Sequence, residues 1–420
     1  MDNEVLVVGA GPAGLAAALA LKGAGLEVLV VDHAAAPGGA VHRQPLPGAT
    51  GPGARAHKRA FARLMVGVRA AGIEIACATG FAGLDHTGTI LLTGARGGLM
   101  RPRGLIVATG ARESIRPRPG WTLPGVQTAG ALQTRLKTLG EAPVARVLLA
   151  GNGPLLLAVG AELTALGNPP VAVVLGGRPF GAAGLRLPLA YQIEAAQHLS
   201  RLLLARVPVL TGAHLTAITA TGGGLRAEIA TRHRPGALAA DIVALHDGIR
   251  PDTPLLPEAC PVPAERAGDC RVALGARAAL ADGRRAGLVL AARLLGLPTP
   301  PPCPILAREV AAQARLAALF APVDAPALAD LPPETVLCRC EGRTIGDLRA
   351  LGPDPSARQL RLTGRFAMGA CQGRFCADWV RELAGSPDLG LPRLPLRPVP
   401  VSALLNTAET APLPLNGDLA

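Results

Sequence analysis

A short apolar run, Glu4-Val-Leu-Val-Val8, leads directly into Gly9-Ala-Gly11-Pro-Ala-Gly14 and then into an alanine- and leucine-rich stretch reaching about Ala24. The order predicts a buried strand, a tight turn and a helix. Gly9 makes the turn, Gly11 leaves the backbone bare for close approach, and Gly14 lets the helix pack on the strand. A second strand over Glu27–Val31 ends at Asp32, 18 residues past Gly14. An acid at that distance is placed to accept hydrogen bonds from a ribose, while a pyrophosphate sits on the helix N-terminus. Gly9, Gly11, Ala13, Gly14 and Asp32 are therefore expected to hold a dinucleotide; a glycine-rich structural turn is the alternative.

Further strand-like runs occur at Ile73–Cys77, Thr89–Leu92 and Gly104–Ala108. A second strand–glycine–helix unit starts at Arg146-Val-Leu-Leu-Ala-Gly151-Asn-Gly153-Pro, followed by a strand at Val171–Leu175. Strands alternating with helices predict an α/β, Rossmann-like fold with mainly parallel sheets and two dinucleotide-binding-type domains. The second fingerprint is degenerate: Leu156 replaces the third glycine, and its next strand ends in Gly176-Gly177 rather than an acid. NAD(P) is therefore not expected there. Three other segments favour FAD in the first unit: Pro37-Gly38-Gly39 after the acid, Ala108-Thr109-Gly110 closing a strand, and Ala267-Gly268-Asp269 before a long apolar helix. Asp269 is a candidate for the ribityl chain, with a helix cap as its plain structural alternative.

With 420 residues the chain can form two or three domains. Aromatics make up only 2% and Tyr191 is the single tyrosine, so the cores are Leu, Val and Ala packing. The net charge of +12 comes from scattered arginines with few stacking rings, which argues against nucleic-acid binding. Mean hydropathy is positive, but no charge-free apolar stretch reaches the roughly 18 residues of a membrane span. The acidic start, Met1-Asp2-Asn3-Glu4, is unlike a secretory leader. Cytoplasm is the expected compartment, where clustered cysteines more often bind metal than pair as disulfides.

Such a cluster closes the chain: Cys338 and Cys340 in Leu-Cys-Arg-Cys-Glu, then Cys371 and Cys376 in Cys-Gln-Gly-Arg-Phe-Cys. Four thiolates match the ligand count of one [2Fe-2S] cluster, whose two irons take two each. Arg339, Arg343 and Arg374 are near enough in sequence to offset its negative charge. Structural zinc also takes four thiolates, but its usual pairs are two to four residues apart, so Cys-x-Cys with Cys-x4-Cys suits it less well. Unligated thiols or disulfides are the third possibility. Cys77, Cys260, Cys270 and Cys303 are scattered and read as small buried hydrophobes. The absence of a Cys-x2-Cys or Cys-x4-Cys pair near the expected flavin or in residues 146–250 argues against a disulfide reductase.

The chain resembles, over nearly its whole length, the α subunits of bacterial opine oxidases, hydrogen cyanide synthase and D-hydroxyproline dehydrogenase. The resemblance rests on Pro37-Gly-Gly-Ala-Val-His-Arg43-Gln44, Pro119-Gly-Trp121-Thr-Leu-Pro-Gly-Val, Gln133 to Lys137 before Gly151-Asn-Gly-Pro-Leu-Leu-Leu, and the tail Leu394-Pro-Leu-Arg-Pro-Val-Pro-Val. The cysteine segment is similar to bacterioferritin-associated ferredoxin. The resemblance implies that Gly9, Gly11, Gly14, Asp32, Gly39, Arg43 and Gly110 contact FAD and that the four cysteines hold the cluster. It also implies that a β subunit resembling D-amino-acid oxidases oxidises an amine, opine or imino acid on its own flavin. The α subunit, sometimes with a small third subunit, passes the electrons to a downstream acceptor, in the cytoplasm or at the inner-membrane periphery. A self-sufficient NAD(P)H:acceptor reductase is one alternative, and a non-catalytic assembly subunit is the other.

The expected domain order is 1–135 and 251–300 for FAD, 136–250 for the degenerate second unit, and a proline-rich linker over 301–333. A small, mainly helical iron–sulfur module over 334–386 and an extended proline-rich tail over 387–420 complete it. The stretch between Asp252 and Gly268 is shorter than the family usually has and lacks an apolar lead-in strand before Asp269. A trimmed FAD half-site is the expectation there.

Overall fold

A computed structural model describes residues 4–405 except 47, 50–58, 182–183, 185, 232–234, 254–259, 324–325, 386–388, 390–393 and 397. The start Met1–Asn3 and the end of the tail, 406–420, lie outside the described residues.

Val5–Val8 and Val28–Val31 are uninterrupted β-branched and leucine runs, and every residue in them is buried. Burial on both faces suits the inner strands of a parallel sheet covered by helices. The first sheet has five strands, ordered Ala264–Arg266, Gly104–Val107, Val5–Val8, Val28–Val31, Glu74–Ala76. All its pairings are parallel. A second five-stranded parallel sheet is ordered Val209–Thr211, Ala172–Leu175, Val147–Gly151, Ile242–His246, Val126–Thr128. Val126–Thr128 and the helix Ala129–Leu139 thus join the second unit, although both begin before residue 136. Two antiparallel three-stranded sheets flank these layers.

The lead-in strand to Asp269 is present, which corrects the trimmed reading for that part. Ala264–Arg266 pairs with Leu105–Val107. It lies at the sheet edge, where ladder bonds are made by the backbone and a polar, charged sequence such as Ala-Glu-Arg is tolerated.

The first core is Val, Leu and Ala around the helix Pro12–Gly23. The helix Gly275–Leu295 crosses this one at very short range. A Cβ on Gly283 would stand 2.1 Å from the Ala13 carbonyl oxygen, and one on Gly287 2.5 Å from that of Ala17. Two glycines four apart on one helix face bring the backbones together. The carboxyl of Asp282, buried beside them, accepts from the Gly268 amide at 2.7 Å and pairs with Arg271 and Arg285. Those donors hold its pKa down against the opposing effect of burial.

The cysteine region has its own small core, with Phe366, Leu337, Ile345 and Val380 among its most buried members. It comprises the antiparallel pair Val336–Cys338 and Arg343–Thr344 with short helices. It is fastened to the second unit and to the strand Ile249–Pro251 that leaves it. The Trp121 indole donates to the Val336 carbonyl at 2.7 Å, and Arg250 pairs with Asp378 and lies 5.0 Å over the Trp379 ring. Trp121 follows Gly120, which has φ +78° and would place a Cβ 1.8 Å from the Ile218 carbonyl oxygen. That turn explains why Pro-Gly-Trp stands together in the sequence.

Candidate dinucleotide cavity and thiol cluster

A cavity of about 2530 Å³ opens where the strands of the first sheet end. Gly9, Gly11, Ala13, Asp32, Gly39, Arg43, Gly110 and Asp269 line it. Gly14 does not line it and acts one layer beneath. A Cβ there would fall 1.8 Å from the Gly9 carbonyl oxygen, so only glycine lets the helix sit on the turn. Gly9 has φ +112°, and a Cβ on it would stand 2.3 Å from the Ala108 carbonyl oxygen. Gly11, by contrast, meets nothing closer than the Gly39 Cα at 3.8 Å.

Gly11 caps the helix without any side-chain bond, and the first turn carries no acid. The helix therefore presents bare N–H groups and its positive dipole end to the cavity. Asp32 is 7% exposed; it accepts from the Ala10 amide at 2.7 Å and the Ala34 amide at 2.8 Å. The Nε of Arg43 is buried with no hydrogen-bond partner. Lys137 donates to the Ala40 and Val41 carbonyls at 3.1 and 3.3 Å, fixing the Gly39–Arg43 segment against the next helix. A bare helix terminus, an orphaned guanidinium nitrogen and a buried acid at the ribose position fit the FAD family's two phosphates and adenosine.

Asp269 lines the same cavity, but its Oδ1 accepts from the Leu274 and Gly275 amides at 2.9 Å each. It holds the entry to the long helix, as the plainer expectation had it, and burial raises its pKa. The Gly110 side is bound to the connection between units: the Asp252 amide donates to the Gly110 carbonyl at 3.0 Å, and the Thr109 hydroxyl donates to the Asp252 carbonyl. Thr109 stands within a segment singled out in the sequence, but its bond to Asp252 depends on this long-range contact.

The cysteines gather as two pairs. Cys338 and Cys376, both 1% exposed, share a thiol–thiol hydrogen bond, and Cys340 and Cys371 share another. Accepting from Cys376 brings the Cys338 pKa down to about 6, with help from the Glu341, Ala367 and Cys340 amides. Donating to Cys338 pushes Cys376 up, and burial adds to the rise. The loop that carries them is unusual backbone: Arg365, Ala367 and Gln372 have φ of +62°, +60° and +50°. Gly373, with φ +81°, would set a Cβ 2.9 Å from that of Ala367. All eight cysteines are free thiols. Among the described residues, no three His, Cys, Asp or Glu side chains converge where a single ion could be held.

Arg374, between Cys371 and Cys376, ties this loop to the cavity that it also lines. Its guanidinium lies 3.4 Å from Asp252 and donates to the Leu396 carbonyl, while its own carbonyl accepts from Arg112. Desolvation lowers the pKa of Arg112 at this junction.

In the second unit residues 151–155 border the same cavity, but the place of the third glycine is packed. Leu156 is fully buried in the unit's core. A Cβ on Gly153 would be 3.2 Å from the His246 ring, whose Nδ1 pairs with Glu113 at 2.8 Å. Glu113 in turn accepts from the Gly130 amide at 2.9 Å. Neither member of this buried pair stood out in the sequence.

Two Rossmann-like units, one with an open glycine cradle, define a two-domain flavoprotein. Residues 3–277 match the family described as pyridine nucleotide-disulphide oxidoreductase. The chain is 32% identical to the opine oxidase A subunit of Agrobacterium tumefaciens (strain Ach5), over 97% of its own length and 92% of that protein. It is 30% identical to hydrogen cyanide synthase subunit HcnB of Pseudomonas aeruginosa, over 98% of this chain and 100% of the relative. It superposes on L-proline dehydrogenase from P. horikoshii with a TM-score of 0.63 at 17% identity, covering 96% of this chain and 79% of that one, a likeness of fold. The chain belongs to the pyridine nucleotide-disulphide oxidoreductase family, within the group of opine oxidase A and HcnB subunits, and is an FAD-dependent oxidoreductase. No helix of the described residues is long and apolar enough to cross a membrane.

Proposed function

We propose that this chain is the FAD- and [2Fe-2S]-containing electron-transfer subunit of a multi-subunit amine, opine or D-imino-acid dehydrogenase. The relatives named as subunits of opine oxidase and of hydrogen cyanide synthase support membership of a complex. Substrate oxidation takes place on a D-amino-acid-oxidase-like partner chain: the amine carbon and nitrogen give up two electrons and two protons, and water hydrolyses the resulting imine. This chain then receives the electrons, and a downstream acceptor takes them away.

The observation that carries this reading is Arg374. The loop holding two of the four thiols also forms part of the wall of the dinucleotide cavity. Four thiols close enough to influence one another's ionisation match the ligand count of one [2Fe-2S] cluster, and the spacing Cys-x-Cys with Cys-x4-Cys suits structural zinc less well. When bound, flavin and cluster supply two-electron and one-electron redox chemistry respectively. The chain's own residues bind and orient. Asp32 accepts from the ribose, the helix Pro12–Gly23 and Arg43 face the phosphates, and Cys338, Cys340, Cys371 and Cys376 ligate iron. Arg374 is a fixed positive charge between the two places.

Purification under anaerobic conditions tests this, with flavin absorbance and metal analysis as readouts. Stoichiometric flavin and about two irons per chain are expected. Zinc in place of iron, in protein that still carries flavin, would overturn the cluster assignment. Co-purification with a D-amino-acid-oxidase-like chain is expected when the complex is expressed together.

A further inference from the structure

In the second unit, the end of the strand Ala172–Leu175 is where a dinucleotide-binding fold places the acid that holds the adenosine ribose. Here that place is taken by the chain itself. The segment that leaves the helix Pro304–Leu319 runs across it. A Cβ on Gly177 would lie 2.8 Å from both the carbonyl carbon and the oxygen of Phe320, and 2.9 Å from the Ala321 oxygen. The Val323 amide donates to the Gly176 carbonyl at 3.0 Å, and the His214 ring meets the Val323 carbonyl. A Cβ on Gly176 would be 2.4 Å from the Asn152 Oδ1 and 2.9 Å from His214.

The seat is fastened on both sides. Phe320 is 8% exposed and packs in the same cluster as Leu156, Leu157 and Leu202. Downstream, Arg116 donates to the Pro326 carbonyl at 2.7 Å, and Leu328 is buried in the core of the cysteine region. Gly176-Gly177 is therefore more than a lost acid. Any side chain at either position meets backbone or a packed polar group, so the glycines are what the crossing segment requires.

We propose that Phe320–Val323 is the resident occupant of the adenosine-ribose end of the second dinucleotide site. The chain's own backbone fills the adenosine-ribose subsite and excludes pyridine nucleotides, making this segment the specificity determinant that leaves the flavin dependent on a protein electron donor. This closure lies against the second unit and stands whether or not the cysteines hold a cluster.

Hydrogen exchange on the full chain tests the seating. The Val323 amide should exchange slowly in the wild type. Gly177→Ala should speed it by at least about tenfold while the amides of the strand Val147–Gly151 stay protected. Phe320→Ala, which keeps both glycines, should loosen the same amide if the first variant fails to fold. A Val323 amide that exchanges freely in the wild type, or that neither folded variant alters, would overturn the seating. NADH and NADPH titrated into the wild type, followed by nucleotide fluorescence, should show no saturable binding up to the millimolar range. Saturable micromolar binding would overturn the exclusion even with the segment in place.

Discussion

The two glycine loops of this chain share a topology and differ in what meets them. At Gly9–Gly14 the middle glycine is bare, the helix start has no cap, and Asp32 waits at the end of the next strand. At Gly151–Leu156 the third position is a buried leucine, a histidine ring closes on Gly153, and residues 320–323 cross the end of the next strand. Both loops still open onto a parallel sheet with helices around it. The strand–turn–helix unit packs in the same way whether its third position is a glycine or a buried leucine. At the second loop, the place of the third glycine and the end of the next strand are taken up by the chain's own apolar and backbone groups.

The largest effect should come from the third position of each loop. Gly14→Val puts a branched side chain where even a Cβ falls 1.8 Å from a carbonyl oxygen, and should abolish soluble flavoprotein. Leu156→Ala should cost about 2–5 kcal/mol of stability, the range for emptying a buried leucine, and leave flavin content per folded chain unchanged. Denaturant melts with flavin absorbance check both, and flavin loss in the second variant would break the contrast. Next in size is Asp32→Ala. It removes the charged acceptor of two amides, and flavin affinity should drop by about 1.5–3 kcal/mol, roughly 10- to 150-fold.

A smaller effect concerns Trp121→Phe, which deletes the indole bond to Val336 between the second unit and the cysteine region. A loss of about 0.5–1.5 kcal/mol is expected from a neutral hydrogen bond of this kind. Smallest is the alkaline limb of stability. Burial, then the hydrogen bond to Glu309, push Tyr191 up to about 12. The folded chain thus keeps this proton more tightly than the unfolded chain, whose tyrosine titrates near 10. Stability should be unaffected below about pH 10 and fall between there and 12 as the unfolded form ionises first. As the chain's single tyrosine, it gives a clean phenolate absorbance titration. A midpoint near 10 in the folded protein would contradict the packing of the helix Leu189–Leu204 on Pro304–Leu319.

The first loop was legible in the sequence because its function is local: glycines, strand, helix and acid lie within a few turns of one another. The defect of the second loop was legible for the same reason. What filled it was not. Phe320–Val323 contributes backbone atoms across a long sequence separation, and in the sequence this stretch shows only as the interior of the expected proline-rich linker over 301–333. The strand Ala264–Arg266 was hidden because an edge strand is specified by backbone pairing rather than by apolar residues. Gly283 and Gly287 were visible as glycines four apart, but their meaning depends on the helix they face. The four cysteines could be counted from the sequence. Their division into a 338–376 pair and a 340–371 pair crosses the order of the chain and required the fold.

The central claim is that one flavin cradle and one cluster share this chain, with the second cradle closed by the chain itself. An anaerobic reductive titration of the as-isolated protein, followed by absorbance and low-temperature EPR, tests it most directly. Dithionite should deliver about three electrons per chain, two to the flavin and one to an EPR-active cluster, while excess NADH delivers none. Two electrons with no cluster signal, or flavin bleaching by NADH, would contradict it.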